Sequence, residues 1–180
     1  TRNWHARGTL TGGAVVGTVM SNLGLERFVG GLGLELARTK VGDRYVVEEM
    51  RRRGCNIGGE QSGHVILSDY ATTGDGLVSA LQVLAAMVET GKRASEICRV
   101  FEPLPQLLES VPCADPQVLQ RDGVRSAITQ AEEALSACGR LVVRRSGTEP
   151  LVRIMAEGED WGRVQSAVRS VKEELMRLAA

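Results

Sequence analysis

The chain has 180 residues, with 22 Lys plus Arg against 22 Asp plus Glu, 43% hydrophobic residues and 21 glycines. A formally neutral chain has no global basic field for nucleic acid or an anionic membrane surface, so any anion site must be local. The hydrophobic fraction and balanced charge exclude a disordered chain, and the length suits one large domain or two small ones.

From the N-terminus no periodic pattern precedes Ala14. The run Ala14 to Met20 is short, β-branched and glycine-bounded, which predicts a buried strand, and Ser21-Asn22 can start a helix behind it. A second helix is predicted from Asp43 to Arg53, where Tyr45, Val46, Glu49 and Met50 sit at helical spacing and Gly54 supplies a stop. Short strands are predicted at Cys55 to Ile57 and at His64 to Leu67, enclosing the loop Gly58-Gly59-Glu60-Gln61-Ser62-Gly63. Thr72 to Gly76 offers caps for a helix whose apolar positions Leu77, Ala80, Leu81, Leu84 and Met87 or Val88 recur at steps of three and four. Gly91 closes it and Ser95 caps a last short helix.

Pro103, Pro105, Pro112 and Pro116 crowd the next stretch and mark the best domain boundary, giving residues 1–105 and 106–180. Beyond it the pattern becomes β-α-β-β-α. Leu107 to Cys113 is a strand, and Val124 to Cys138 a helix with Val124, Ile128, Ala131, Leu135 and Cys138 on one face, ended by Gly139. Strands follow at Leu141 to Val143 and Leu151 to Ala156. The final helix carries Trp161, Val164, Val168, Val171, Leu175 and Leu178 on its apolar stripe. The expected class is α/β plus α+β: a mixed α/β sheet, then a small antiparallel sheet with two helices on one face.

Cys55, Cys98, Cys113 and Cys138 form no CxxC pair, and the chain has two histidines. That spacing offers no zinc site, and free thiols suit a reducing compartment, so the expected location is the cytoplasm. No apolar run approaches the roughly 18 residues of a membrane span.

Two segments carry chemistry. Arg144-Arg145-Ser146-Gly147-Thr148-Glu149-Pro150, with Arg153 beyond it, gathers guanidiniums, hydroxyls and an unobstructed backbone, the donor set an anionic phosphate needs. The alternative is a polar hairpin with solvated arginines. Glu60, Ser62 and His64 supply a carboxylate, a hydroxyl and an imidazole among glycines, which suits sugar hydroxyls, with His64 also able to act as acid or base. The alternative there is a turn in which His64 bonds a backbone carbonyl. Thr39-Lys40-Val41-Gly42-Asp43-Arg44 reads as a solvated helix start that could reach an anion, and Gly74-Asp75-Gly76 as a cap, since one carboxylate is too few for magnesium.

The segments Val16 to Glu26, Val41 to Val46, Gly58 to His64, Thr73 to Gly76 and Arg144-x-Ser146-Gly147-Thr148-Glu149-Pro150 resemble, in order and spacing, the C-terminal half of the phosphoglucosamine mutases, a branch of the α-D-phosphohexomutase superfamily. The resemblance implies a partial third domain followed by the fourth. It implies that the parent enzyme interconverts glucosamine 6-phosphate and glucosamine 1-phosphate for UDP-N-acetylglucosamine synthesis. It also implies a sugar-binding loop at Glu60, Ser62 and His64, and a phosphate clamp at Arg144, Ser146, Gly147, Thr148 and Arg153.

Neither the family's phosphoserine loop nor its Asp-Gly-Asp-x-Asp-Arg metal loop occurs in the 180 residues. The expectation is therefore half an enzyme, inactive alone, with Mg²⁺ held by the parent protein and none by this chain. The expected partners are a phosphorylated amino sugar and the missing N-terminal domains, with a homodimer left open. Arg145 stands where the family often has a small residue or proline. Rival readings are a phosphomannomutase or phosphoglucomutase fragment, and a non-catalytic phosphosugar-binding module. RNA binding is disfavoured by the scarcity of aromatics on the C-terminal strands.

Overall fold

A computed structural model describes residues 1–179. They form two compact units, Thr1–Pro103 and the residues from Leu104 onward.

In the first unit, α1 (Arg2–Ala6), β1 (Ala14–Thr18), α2 (Leu23–Gly31), β2 (Glu35–Thr39), α3 (Asp43–Arg53), β3 (Ile57–Gly59), β4 (Val65–Leu67), α4 (Gly76–Thr90) and α5 (Ala94–Cys98) follow one another. The sheet order is β2-β1-β3-β4, with β1 parallel to β2 and β3, and β4 antiparallel at the edge. Alternation along β1 sends Ala14 and Val16 towards Val46 and Met50 of α3, and Val15 towards Val29 of α2 and Trp4 of α1. Helices therefore cover both faces.

Several elements differ from the sequence reading. Residues 2–6 are helical and bury Trp4, an element too short to show a period. β2 was unforeseen because Glu-Leu-Ala-Arg-Thr holds only two apolar residues, yet it pairs with β1 along all five positions. The third strand lies two residues later than expected and takes in Gly58 and Gly59. A Cβ at Gly58 would stand 2.5 Å from Met50 Sδ and 2.7 Å from Val46 Cγ1, so glycine lets α3 lie against the sheet. α3 matches its predicted bounds and ends at Gly54, whose φ of 70° a side chain would disfavour.

Asp75 caps α4, accepting from the Val78 N–H at 2.9 Å. The repeat that marked this helix is not its buried side. Ala86 is buried, whereas Leu77, Leu81, Leu84 and Val88 are 73, 54, 53 and 85% exposed. α5 is capped at its start by the Glu96 carboxylate, which accepts from the Arg93 N–H at 3.0 Å, two residues earlier than a Ser95 cap would place it.

The second unit contains β5 (Gln106–Pro112), a 3-10 turn (Val118–Gln120), α6 (Asp122–Leu135), β6 (Gly139–Arg145), β7 (Leu151–Gly158) and α7 (Trp161–Ala179). Its antiparallel sheet runs β5-β7-β6. One face, with Val111, Leu141, Val152, Ile154 and Ala156, packs with Val124, Ala131 and Leu135 of α6 and Val164, Val168, Val171 and Leu175 of α7. Cys138 lies beyond α6, and Gly139 opens a strand instead of closing a helix, at a position where a Cβ would stand 2.2 Å from Glu157 O. Trp161 and Leu178, placed by pattern on the apolar stripe of α7, are 43 and 42% exposed. All four thiols are free, and among the described residues no helix is long and apolar enough to cross a membrane.

Candidate functional site

In the first unit the chain leaves β1 for β2 on one side, then crosses to β3 on the other. The strand order thus reverses between β1 and β3, and ligands of open α/β sheets bind outside the carboxyl ends of the strands at such a point. Val16 pairs with Gly58 in parallel register, so Thr18 is level with Glu60.

Glu60 is the first residue after β3, and its side chain is 8% exposed. Its Oε1 accepts from the Gly42 N–H at 2.8 Å, while Oε2 lies 3.6 Å from His64 Nδ1. The turn is closed by Glu60 N–H donating to His64 O at 2.8 Å and Gly63 N–H donating to Glu60 O at 3.1 Å. Ser62 Oγ and His64 Nδ1 are 3.0 Å apart, so the imidazole bonds a hydroxyl and not the backbone carbonyl considered as the alternative. The structure brings Glu60, Ser62 and His64 together, with one carboxylate oxygen fixed by the backbone and the other turned towards the exposed imidazole.

Sequence reasoning missed the supports of this edge. Gly42, at a φ of 131°, offers its N–H to Glu60, and its place in the Val41-Gly42-Asp43 segment was the available signal. Arg38 on β2 donates through Nη1 to the carbonyls of Ser21 (2.5 Å) and Thr18 (3.2 Å), and through Nη2 to Glu26 (2.9 Å). Ser21 Oγ accepts from the Thr18 N–H at 3.0 Å, and a Cβ at Gly17 would meet that hydroxyl at 2.5 Å. The Thr18–Asn22 turn is therefore held from two sides at the carboxyl end of β1.

In the second unit Arg144 and Arg145 lie on β6 itself, not in the loop that sequence assigned them to. Strand alternation sends them to opposite faces. Arg145 pairs with Val152, on the helix-covered side, whereas Arg144 pairs with Arg153, on the other. Two guanidiniums directly opposite one another are unfavourable unless an anion joins them. Arg144 Nε and Arg145 Nη1 are buried and have no hydrogen-bond partner. Burial, and then the charge of Arg153, push the Arg144 guanidinium below its ordinary value.

The connecting turn is closed by Ser146 N–H donating to Leu151 O at 2.9 Å, and Arg153 Nη2 donates to Glu149 at 3.0 Å. Nothing stands within 4 Å of the side-chain position at Gly147. Arg144 and Arg153 share one face beside the exposed turn Ser146-Gly147-Thr148, an arrangement suited to a phosphate dianion.

The donor set does not fit the magnesium that the sequence resemblance implies for a parent enzyme. Asp75 Oδ1 is engaged in capping α4, and among the described residues no three His, Cys, Asp or Glu side chains are grouped to hold a metal.

Residues 1–104 match the phosphoglucomutase/phosphomannomutase alpha/beta/alpha domain III, and residues 108–177 match the C-terminal domain of the same family. A phosphoglucosamine mutase of Brucella anthropi is 60% identical over 169 residues, covering 94% of this chain and 38% of the relative. One from Paramagnetospirillum magneticum is 58% identical over 179 residues, covering 98% and 40%. The chain thus spans about two fifths of the length of these curated relatives. Among solved structures, an N-acetylphosphoglucosamine mutase of Aspergillus fumigatus shares the fold at a TM-score of 0.77 and 20% identity, over 92% of this chain and 38% of that one. A second structure of that Aspergillus protein, in complex with GlcNAc-6P and magnesium, has a TM-score of 0.75 and 20% identity, over 95% and 44%.

Proposed function

The chain belongs to the phosphoglucomutase/phosphomannomutase family, and from that premise we propose that it is the substrate-binding part of a phosphoglucosamine mutase, an isomerase that interconverts glucosamine 6-phosphate and glucosamine 1-phosphate. Residues 1–105 serve as the sugar-recognising domain and residues 106–180 as the phosphate-binding domain. The observation that carries the reading is the opposed pair Arg144 and Arg153, with a buried Arg144 Nε that lacks a partner.

In this reading Arg144 and Arg153 neutralise the phosphate group that is not being transferred, while Ser146, Gly147 and Thr148 donate to its remaining oxygens. Glu60 accepts from sugar hydroxyls through Oε2, Ser62 donates or accepts beside it, and His64 orients Ser62. A substrate that must present each end in turn needs a fixed anchor for one phosphate and a second for hydroxyls similarly placed in both orientations. Positioning of this kind supplies much of the rate enhancement in phosphoryl transfer, where metal ions neutralise developing charge. The phosphoryl donor and the metal ligands belong to the parent protein, and this chain alone binds without turnover in the cytoplasm.

The amino sugar is preferred to mannose or glucose because the relatives at 58 and 60% identity are phosphoglucosamine mutases. Amide NMR titration of the chain with glucosamine 6-phosphate, mannose 6-phosphate and inorganic phosphate tests the reading. The expected result is shifts at residues 144–148 with all three, and at residues 60–64 strongest with the amino sugar. Shifts confined to other regions would remove the phosphate assignment, and a preference for mannose 6-phosphate would move the chain to the neutral-sugar branch.

A further inference from the structure

Between Gly76 and Val88 helix α4 carries no charged residue. Ser79 and Gln82 are its only polar side chains there, and a helix so nearly apolar all round is ordinarily a buried one. Here only one side is covered: Ala86 is buried, and Trp4, Val83 and Ala86 line an apolar groove of about 530 Å³ on that side. On the opposite side Leu77, Leu81, Leu84 and Val88, at spacings of four, three and four, form one stripe more than half exposed at every position. Solitary exposed apolar side chains need no explanation, but three leucines and a valine in line, on a helix whose one charged residue is Glu89 in its last turn, mark an interaction surface.

We propose that this stripe is the permanent seat of polypeptide that precedes the matched residues in the longer relatives, so that α4 is a buried helix in those proteins. About three fifths of the curated relatives' length lies outside the match. The matched parts are domain III and the C-terminal domain, which puts the remainder chiefly ahead of the matched residues. Composition selects the same occupant. Permanent interfaces resemble a core cut in half and are depleted of charge, whereas surfaces for transient partners keep a polar make-up. The interface requires family membership only, so a failure of the amino-sugar reading leaves it standing.

Photochemical carbene footprinting with diazirine tests it on two proteins: this chain, and the full-length Brucella anthropi relative. In the chain the stripe is expected to label heavily at all concentrations. In the relative the helix aligned with α4 should label at least fivefold less. Equal labelling in both would overturn the proposal. So would protection in the chain alone that grows with its concentration, which would make a second copy the occupant.

A paired substitution supplies a second readout. Leu81→Glu with Leu84→Glu should leave the melting temperature of the chain within a degree or two, because both side chains already face water. The same changes at the aligned positions should lower that of the full-length relative by many degrees. Equal, small effects in both proteins would also overturn the assignment.

Discussion

Arg144 and Arg153 stand directly opposite each other on β6 and β7, two guanidiniums on one face with the Nε of the first buried and unpartnered. A sheet does not gain from this pairing unless something anionic sits between the arginines. Folding stability and ligand affinity should therefore move in opposite directions at this position.

Arg144→Met should leave the ligand-free chain as stable as the parent or up to about 1 kcal/mol more stable, since a directly opposed like-charge pair is relieved. It should weaken inorganic phosphate binding by about 1.5–3 kcal/mol, the worth of a hydrogen bond to a charged group. Thermal denaturation with and without phosphate measures both quantities. A variant that loses stability and keeps its phosphate-dependent rise in Tm would contradict the anchor.

Glu60 separates structure from recognition on its two oxygens. Glu60→Gln retains an acceptor for the Gly42 N–H, so the fold should hold, while binding of a phosphosugar relative to inorganic phosphate should fall. Glu60→Ala removes that acceptor from a nearly buried site and should cost about 1–3 kcal/mol of stability. Urea denaturation of the two variants, beside calorimetric titration with glucosamine 6-phosphate, distinguishes the roles.

Arg38 ties the turn after β1 to β2 without standing in either anchor. Arg38→Met should speed amide exchange at Val19, Met20 and Ser21 by tenfold or more, equivalent to about 1.4 kcal/mol, and should leave exchange in α7 unchanged. Hydrogen exchange by mass spectrometry reads both regions at once, and uniform acceleration would show global destabilisation instead.

The Glu49 carboxyl is held from 4.5 down to about 2, first by its hydrogen bonds from Arg52 and then by that from Arg53. A depressed folded-state value means that the contribution is fully present above about pH 4.5 and is lost as pH falls towards 2. Glu49→Gln should therefore flatten the decline of Tm between those limits and change little at neutral pH except for a constant offset. A parallel decline in both proteins would show that other carboxylates govern the acid limb.

What sequence could show followed from the length of each repeat. α3 carried three turns of helical spacing and a glycine stop, and its bounds matched. β2 carried two apolar residues and was invisible, because its burial comes from neighbours far along the chain. α4 was found as a helix with the wrong side assumed to matter, since periodicity reports an apolar face and not what covers it. In the candidate site the residue types of both loops were legible. Strand alternation at Arg144 and Arg145 was not, because the strand runs two residues further than its apolar core, and only pairing with Val152 and Arg153 reveals which arginine shares a face with which. The Gly42 donor showed only through its place in the Val41 to Val46 segment, because an N–H by itself carries no residue-type signal.

The two anchors differ in how far along the chain their parts lie. Arg144 and Arg153 meet across one turn of a hairpin, whereas Glu60 takes its partner from Gly42 and sits beside β1 only after two parallel crossovers have closed. Hairpins form in about 1–10 μs, while parallel pairing must first meet the entropy of closing long loops. Along the folding trajectory the phosphate anchor is therefore expected to exist before the sugar anchor does. Pulse-labelling exchange during refolding should find Leu151 to Glu157 protected ahead of Gly42 and Glu60, and the reverse order would refute this sequence of events. A refolding chain would on this account hold phosphate before it could distinguish one sugar from another.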